Sequence, residues 1–289
     1  MFNFFNKKKP TEAKESTKSV PQTDSPNHKK NELIQRWDAF LTKIEERFHT
    51  SVAQAKEALL EQLVESDYDY NATMRAWRSM RQKILNIKDQ IELIWDTKVE
   101  PKMEELDDLH DMESFHIDEG FKGDNLGEKL YELMAIYAIE IEGAIAQKFY
   151  TYAVKTIEKD FLCSQCNSPL EIKKDVFRLH YVDCQYCNTT NTYQPDVKYN
   201  QIGWFAIDAL VELECLEAFK VLQAIEVEIS DTHPPVSNEL ITAHEKAYWV
   251  YHNKRLDTKI KHKSDEAERR AIDVKQLEDN RLDYIKRNS

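Results

Sequence analysis

The chain has 289 residues, 41% of them apolar, enough for one or two domains with a sizeable core. A net charge of −12, from 52 acidic against 40 basic residues, argues against a surface built to neutralise nucleic-acid phosphates, which needs clustered Lys and Arg. Only 5 Gly and 8 Pro alongside 32% charged residues argue against a turn-rich sheet protein and predict long helices.

Residues 1–30 are polar, Lys-rich and punctuated by Pro, the composition of a disordered tail. Its tip places Phe2, Phe4 and Phe5 before Lys7, Lys8 and Lys9, a pattern that can dip aromatics into a membrane interface while the lysines meet anionic headgroups. The plainer reading is a solubilising tail. No apolar run reaches the roughly eighteen residues that span a bilayer, and the amino terminus lacks the order of a secretory signal. The expected location is cytoplasmic, peripheral at the inner face of a membrane if the tip engages one.

From Asn31 the apolar positions Leu33, Trp37, Phe40, Ile44, Phe48, Val52, Leu59 and Leu63 recur at helical spacing and predict one long amphipathic helix to about Glu65. "ESDYDYNAT" ends it, and Asn71 is a candidate N-cap for a second helix with the stripe Met74, Trp77, Met80, Ile84, Ile87, Ile91 and Ile94, fading near Pro101. Three of the five glycines fall in "GFKGDNLG", read as a flexible connector, after which Asn125 and Glu128 resemble a capping box opening a third helix through Leu130, Tyr137, Ile145 and Phe149. Beyond the cysteine-rich stretch, "IGWFAIDALVELECLEAFKVLQAIEVEI" predicts a fourth helix, and Ser237 can cap a fifth through Leu240, Ala247, Tyr251 and Leu256. From Lys254 the stripe thins before Val274, Leu277, Leu282 and Ile285 resume it, as in a charged helix that projects into solvent or onto a partner.

Between the third and fourth helices the period changes. Four of the five cysteines form two Cys-x-x-Cys pairs, Cys163 and Cys166, then Cys184 and Cys187, separated by a β-rich stretch. In a reducing compartment such pairs favour a metal over disulfides, and the spacing suits a tetrahedral four-thiolate zinc site. "PLEIKK", "VFRLHYVD" and "NTYQPDV" predict a three-stranded ribbon. Asn167 and Asn188 follow the second cysteine of each pair, a residue type enriched in the left-handed conformation that such turns require.

Residues 161–198 thereby resemble the zinc-ribbon family, whose knuckles usually read Cys-x-x-Cys-Gly and here read Cys-Ser-Gln-Cys-Asn and Cys-Gln-Tyr-Cys-Asn. The resemblance implies one structural zinc held by Cys163, Cys166, Cys184 and Cys187, and does not by itself carry a function. Rubredoxin-like proteins place iron in the same paired spacing, so a thiolate-iron electron carrier is an alternative. Within 161–198, Lys173, Lys174, Arg178 and Lys198 cancel Glu171, Asp175, Asp183 and Asp196, which disfavours phosphate binding. Phe177, Tyr181, Tyr186 and Tyr193 could stack bases, yet in so small a ribbon aromatics more often cover its own strands. Cys215 lies among apolar neighbours as a packed thiol, and His180 is not needed as a ligand.

Other constellations fail. Asp67, Asp69 and Asn71 start like a calcium loop, but Ala72 stands where Gly is needed and Arg78 where a bidentate Glu should be. Glu46 with His49, and Glu113 with His116, have the Glu-x-x-His spacing of di-iron bundles, but Glu46 falls opposite the Ile44 and Phe48 face. His244 begins a zinc-protease motif that Tyr248 interrupts, and five glycines leave no phosphate-cradling loop.

The expected architecture is mainly α: long antiparallel helices over residues 31–160 and 199–289, with coiled-coil-like packing, and a small β zinc ribbon at 161–198. The expected role is a non-catalytic scaffold or adaptor for protein partners. A nucleic-acid-associated accessory protein is the other alternative.

Overall fold

The computed structural model describes residues 26–106, 115–171, 179–195, 197–233 and 235–288. The Phe-Lys tip and most of the expected tail lie outside these residues, as do Phe177 and Glu113. The described chain is mainly helical with a small antiparallel two-stranded sheet: α1 (Pro26–Glu65), α2 (Tyr70–Leu85), α3 (Asp89–Ile94), α4 (Glu100–Glu104), α5 (Phe115–Asp160), β1 (His180–Asp183), β2 (Thr190–Tyr193), α6 (Val197–Asp231), α7 (Asn238–His262) and α8 (Arg270–Asn288). No helix among the described residues is long and apolar enough to cross a membrane.

The stripe read from the sequence is the buried face of α1: Trp37, Ile44, Phe48, Val52, Leu59 and Leu63 all enter one core shared with α2, α5, α6 and α7. The turn to α2 holds two non-glycine residues in the left-handed region, Asp67 at φ 51° and Tyr68 at φ 57°. The Tyr68 ring stacks on Tyr152 with centroids 3.7 Å apart, a contact that helps offset backbone strain of about 1–3 kcal/mol. The cap of α2 is Asp69, whose side chain accepts from Ala72 N at 2.9 Å, and not Asn71 as expected. Asp69 still has non-helical backbone, whereas Asn71 already lies inside the helix.

The expected second helix is interrupted twice. Around Asn86 the hydrogen bonds tighten to three-residue spacing, Ile87 N donating to Ile84 O at 3.0 Å and Ile91 N to Lys88 O at 2.8 Å, which keeps Ile84, Ile87 and Ile91 all buried. Trp95–Val99 then widens into a π-turn in which Glu100 N–H reaches back to Trp95 O, just before Pro101, which has no N–H to continue the ladder.

The glycine-rich stretch is helix, not connector. α5 begins at Phe115, well before the expected Asn125 cap, and runs through Gly120, Gly123 and Gly127. The reason is tertiary: a Cβ on Gly120 would lie 3.0 Å from the Trp95 indole, and one on Gly123 would lie 2.9 Å from Trp37. Absent side chains let two indoles approach the α5 backbone, where Trp37 Nε1 donates to Glu119 O at 2.9 Å. Gly143 has the same role opposite α6, where a Cβ would meet Leu213 Cβ at 2.6 Å. Gly127 alone of these four has nothing within 4 Å.

Helix directions follow from the contacts. Along α1 and α5, Asp38 meets Lys122, Glu45 meets Lys129, His49 meets Tyr137 and Lys148 reaches Leu60 O, so both numbers rise together and the pair is parallel. This corrects the expectation of antiparallel helices throughout, because α2, α3 and α4 return the chain before α5 starts. α2 runs antiparallel to α5, with Tyr70 against Phe149 and the Trp77 indole donating to Glu142. α6 runs antiparallel to α5, Gln223 donating to Glu132 O at 3.0 Å, and α7 antiparallel to α6, with Glu212 accepting from Tyr251 and Arg255. Ser237 caps α7 as expected, accepting from Leu240 N.

The charged C-terminal helix does not project. α8 folds back on α7: Tyr248 donates to Leu277 O at 2.8 Å, Arg281 pairs with Glu245 at 2.9 Å, and Tyr284 stacks on His244. His244, the start of the protease-like motif, is a packed ring 1% exposed. Cys215 is fully buried in the shared core, and burial pushes its thiol pKa up.

Two expectations follow for stability. Gly143→Ala forces a methyl into Leu213 and lowers unfolding free energy by about 1–3 kcal/mol, whereas Gly127→Ala, with open space above it, raises it by up to about 1 kcal/mol; urea melts of the two variants check the contrast. Burial, with Arg255 nearby, holds the His252 pKa at about 4, below its ordinary 6.5. As pH falls below 6.5 the unfolded imidazole gains a proton that the folded one refuses until about 4. Stability therefore drops across that window, and His252→Gln should shrink the difference between melts at pH 7 and pH 5.

Candidate metal centre

Each cysteine pair sits on the same tight turn. In the first, Asn167 N donates to Cys163 O at 3.0 Å and Cys163 N to Ser168 O at 2.8 Å; in the second, Asn188 N donates to Cys184 O at 2.9 Å and Cys184 N to Thr189 O at 3.0 Å. Closing such a turn requires a left-handed residue after the second cysteine, and Asn167 and Asn188 supply it at φ 60° and 56°. Asn tolerates this conformation better than other side chains, which accounts for its presence where zinc-ribbon knuckles carry Gly.

β1 and β2 pair antiparallel around the second turn, His180 opposite Tyr193 and Asp183 opposite Thr190, while a single bridge joins Leu162 to Pro169 around the first. The expected three-stranded ribbon is thus two strands and a bridge among the described residues; residues 172–178, which include the end of "PLEIKK" and the start of "VFRLHYVD" between the pairs, lie outside them. Cys163, Leu170 and Cys184 form a small buried cluster separate from the helical core, flanked by Phe161, Val182 and Cys187.

The pairing brings all four sulfurs within 4.8 Å of one another. Cys163 Sγ lies 3.6 Å from Cys187 Sγ and Cys166 Sγ lies 3.5 Å from Cys184 Sγ. Zn–S bonds of about 2.3 Å in a tetrahedron place sulfurs about 3.8 Å apart, so the four positions fit one such ion. Backbone N–H groups of Cys166 and Gln165 point at Cys163 and hold its pKa down at about 6. Hydroxyls stand beside two others, Ser168 Oγ at 3.2 Å from Cys166 Sγ and Thr189 Oγ1 at 3.3 Å from Cys187 Sγ. The groups at Cys163 and Cys166 favour thiolate, the form that binds metal. At Cys184 the backbone N–H groups of Cys187 and Tyr186 are outweighed by burial and the neighbouring Cys166 and Cys187, which push the thiol up to about 11. Four thiolates would fill a tetrahedral shell and leave no position for a substrate.

One residue that the sequence reading missed ties the turns together. Asn191 on β2 is buried; its Oδ1 accepts from Ser164 N at 2.8 Å and from Ser164 Oγ, while its Nδ2 donates to Thr189 O at 2.8 Å and points at Cys163 Sγ at 3.6 Å. Nothing local in the sequence marks it. The hydroxyls did carry a signal, since each pair is followed by Asn and then Ser or Thr.

The aromatic residues divide. Tyr193 is buried edge-to-face against Phe161, and His180 lies 5.1 Å from the Tyr193 ring and outside the sulfur cluster. Tyr181 and Tyr186 are 72% and 76% exposed. The remaining candidates scatter: Glu46 is exposed on α1, and His49 pairs with the Tyr137 hydroxyl.

Purified protein should carry about one zinc and no iron by elemental analysis, and Cys163→Ser or Cys184→Ser should release the metal while helical circular dichroism persists. Asn191→Ala should weaken retention against a chelator by about 10-fold or more, the scale of losing a group that orients a ligand. A reddish protein with near-stoichiometric iron would overturn the assignment.

Comparison of the chain with protein-family models, curated proteins and solved structures gives no match.

Proposed function

We propose that this protein is a non-catalytic scaffold or adaptor, in which Cys163, Cys166, Cys184 and Cys187 hold one structural zinc ion and the module around it binds a protein partner. The observation that carries this reading is the pair Tyr181 and Tyr186, largely exposed beside a cavity of about 300 Å³ lined also by Leu170, His180, Val182 and Asp183. Exposed tyrosines next to a recess of mixed polarity are the side chains that anchor protein interfaces, because they bury large area at low rotamer cost. Glu171 and Asp183 border the same recess and disfavour nucleic-acid phosphates. A closed shell of thiolates suits a structural ion better than a catalytic one.

Partners captured from the native cell by the intact protein should be lost with Tyr181→Ser/Tyr186→Ser, which leaves the sulfurs untouched, and also with Cys184→Ser. Quantitative mass spectrometry of the captured proteins reads this directly. An unchanged partner set in the tyrosine variant would sink the reading, as would salt-sensitive binding of RNA or DNA by the purified protein with no protein partner.

A further inference from the structure

At the end of the helices where α1 begins, α3 and α5 enclose a groove of about 480 Å³. Its walls carry Asp89, Glu92 and Asp96 from the α3 side and Asp124 and Glu128 from α5, against a single Lys88. Among the described residues none of these five carboxylates is in an ion pair, although neighbouring α5 lysines pair with α1. The floor is the half-buried Trp95 indole, which lies over Gly120 beside the buried Ile91. Gly127 opens onto the same groove with nothing within 4 Å, a helix-interior glycine that no neighbour in the fold requires.

We propose that the segment Met1–Lys9 of this same chain docks in the groove, its phenylalanines against Trp95 and its lysines against the acidic walls. Phe2, Phe4, Phe5, Lys7, Lys8 and Lys9 match an aromatic floor and carboxylate rims in kind and in sign. The reach fits. α1 begins at Pro26, and its Trp37 ring lies 5.3 Å from Trp95, so the groove sits about 16 Å along α1 from where that helix starts, at 1.5 Å per residue. Residues 10–25 supply enough chain to reach at most about 55 Å, more than this distance. Over such a distance the tethered segment has an effective concentration on the order of millimolar, so weak intrinsic affinity suffices. Gly127 leaves room for a chain to approach the α5 backbone. Docking would withhold the Phe-Lys tip from an anionic membrane, so this inference is independent of the metal centre and of the partner reading above.

The test uses a chain lacking residues 1–9 and a labelled synthetic peptide of sequence MFNFFNKKK. Fluorescence anisotropy should show the peptide binding the truncated chain at low salt, at least 10-fold more weakly at 0.5 M salt, and at least 10-fold more weakly to the intact chain, whose own segment competes. Charge reversal by Glu92→Lys with Asp124→Lys should abolish binding, and Gly127→Leu, which fills the groove without changing charge, should weaken it several-fold; circular dichroism checks that both variants stay folded. Equal binding to intact and truncated chains, or binding indifferent to these folded variants, overturns the proposal. So does a concentration-dependent dimer of the intact chain that dissociates when residues 1–9 are deleted, since the segment then docks on a second copy. Capture of the intact chain by anionic vesicles with an affinity that the groove variants leave unchanged overturns it as well, since a docked tip must first be released.

Discussion

The close approach of α5 to its neighbours is the constraint on which the other helices depend. Forty-six residues long, it meets α1, α2, α3 and α6, and it does so where side chains are missing: Gly120 and Gly123 under two indoles, Gly143 under Leu213. Helix axes usually stay 8–10 Å apart because side chains intervene. Removing the Cβ lets a bulky partner fill the space, so large buried residues such as Trp37 seat directly on backbone. Direction then follows. With α1 and α5 parallel, the chain between them must travel back along their length, and the interrupted run of α2, α3 and α4 does this while its breaks keep Ile84, Ile87 and Ile91 facing inward.

The cysteine module answers to a different balance. Its buried cluster contains one aliphatic side chain, Leu170, with Cys163 and Cys184, too little apolar area to offset the entropy of ordering the segment. A bound ion would supply what the core lacks, since structural zinc contributes on the order of 10 kcal/mol to small metal-dependent folds. Hydrogen bonds do the positioning: two left-handed asparagines shape the turns, and Asn191 joins one turn to the other. The helical core has its own large cluster, separate from that of the cysteines.

Charge is distributed by the same logic. Carboxylates that bridge helices are answered, as Glu212 is by Tyr251 and Arg255 and Asp38 by Lys122. Those around the α3–α5 groove are in no ion pair among the described residues, and the docking proposed above draws on that acidic edge.

The amino-acid sequence by itself determined the helical stripes of α1, α6 and α7, the Ser237 cap and the four cysteines, because each rests on spacing within a few residues of one another. Helical period and Cys-x-x-Cys pairing are local properties, and even the asparagine in place of glycine was readable from backbone preference. Tertiary structure alone decided the rest. "GFKGDNLG" reads as a break by propensity, yet it is helix because Trp37 and Trp95, far away in sequence, need its bare backbone. The parallel pairing of α1 with α5, the return of α8 onto α7 and the reach of Asn191 to the first turn depend on partners 27 or more residues distant. A stripe states that a face is buried, but only the assembled neighbours decide what covers it and in which direction it runs.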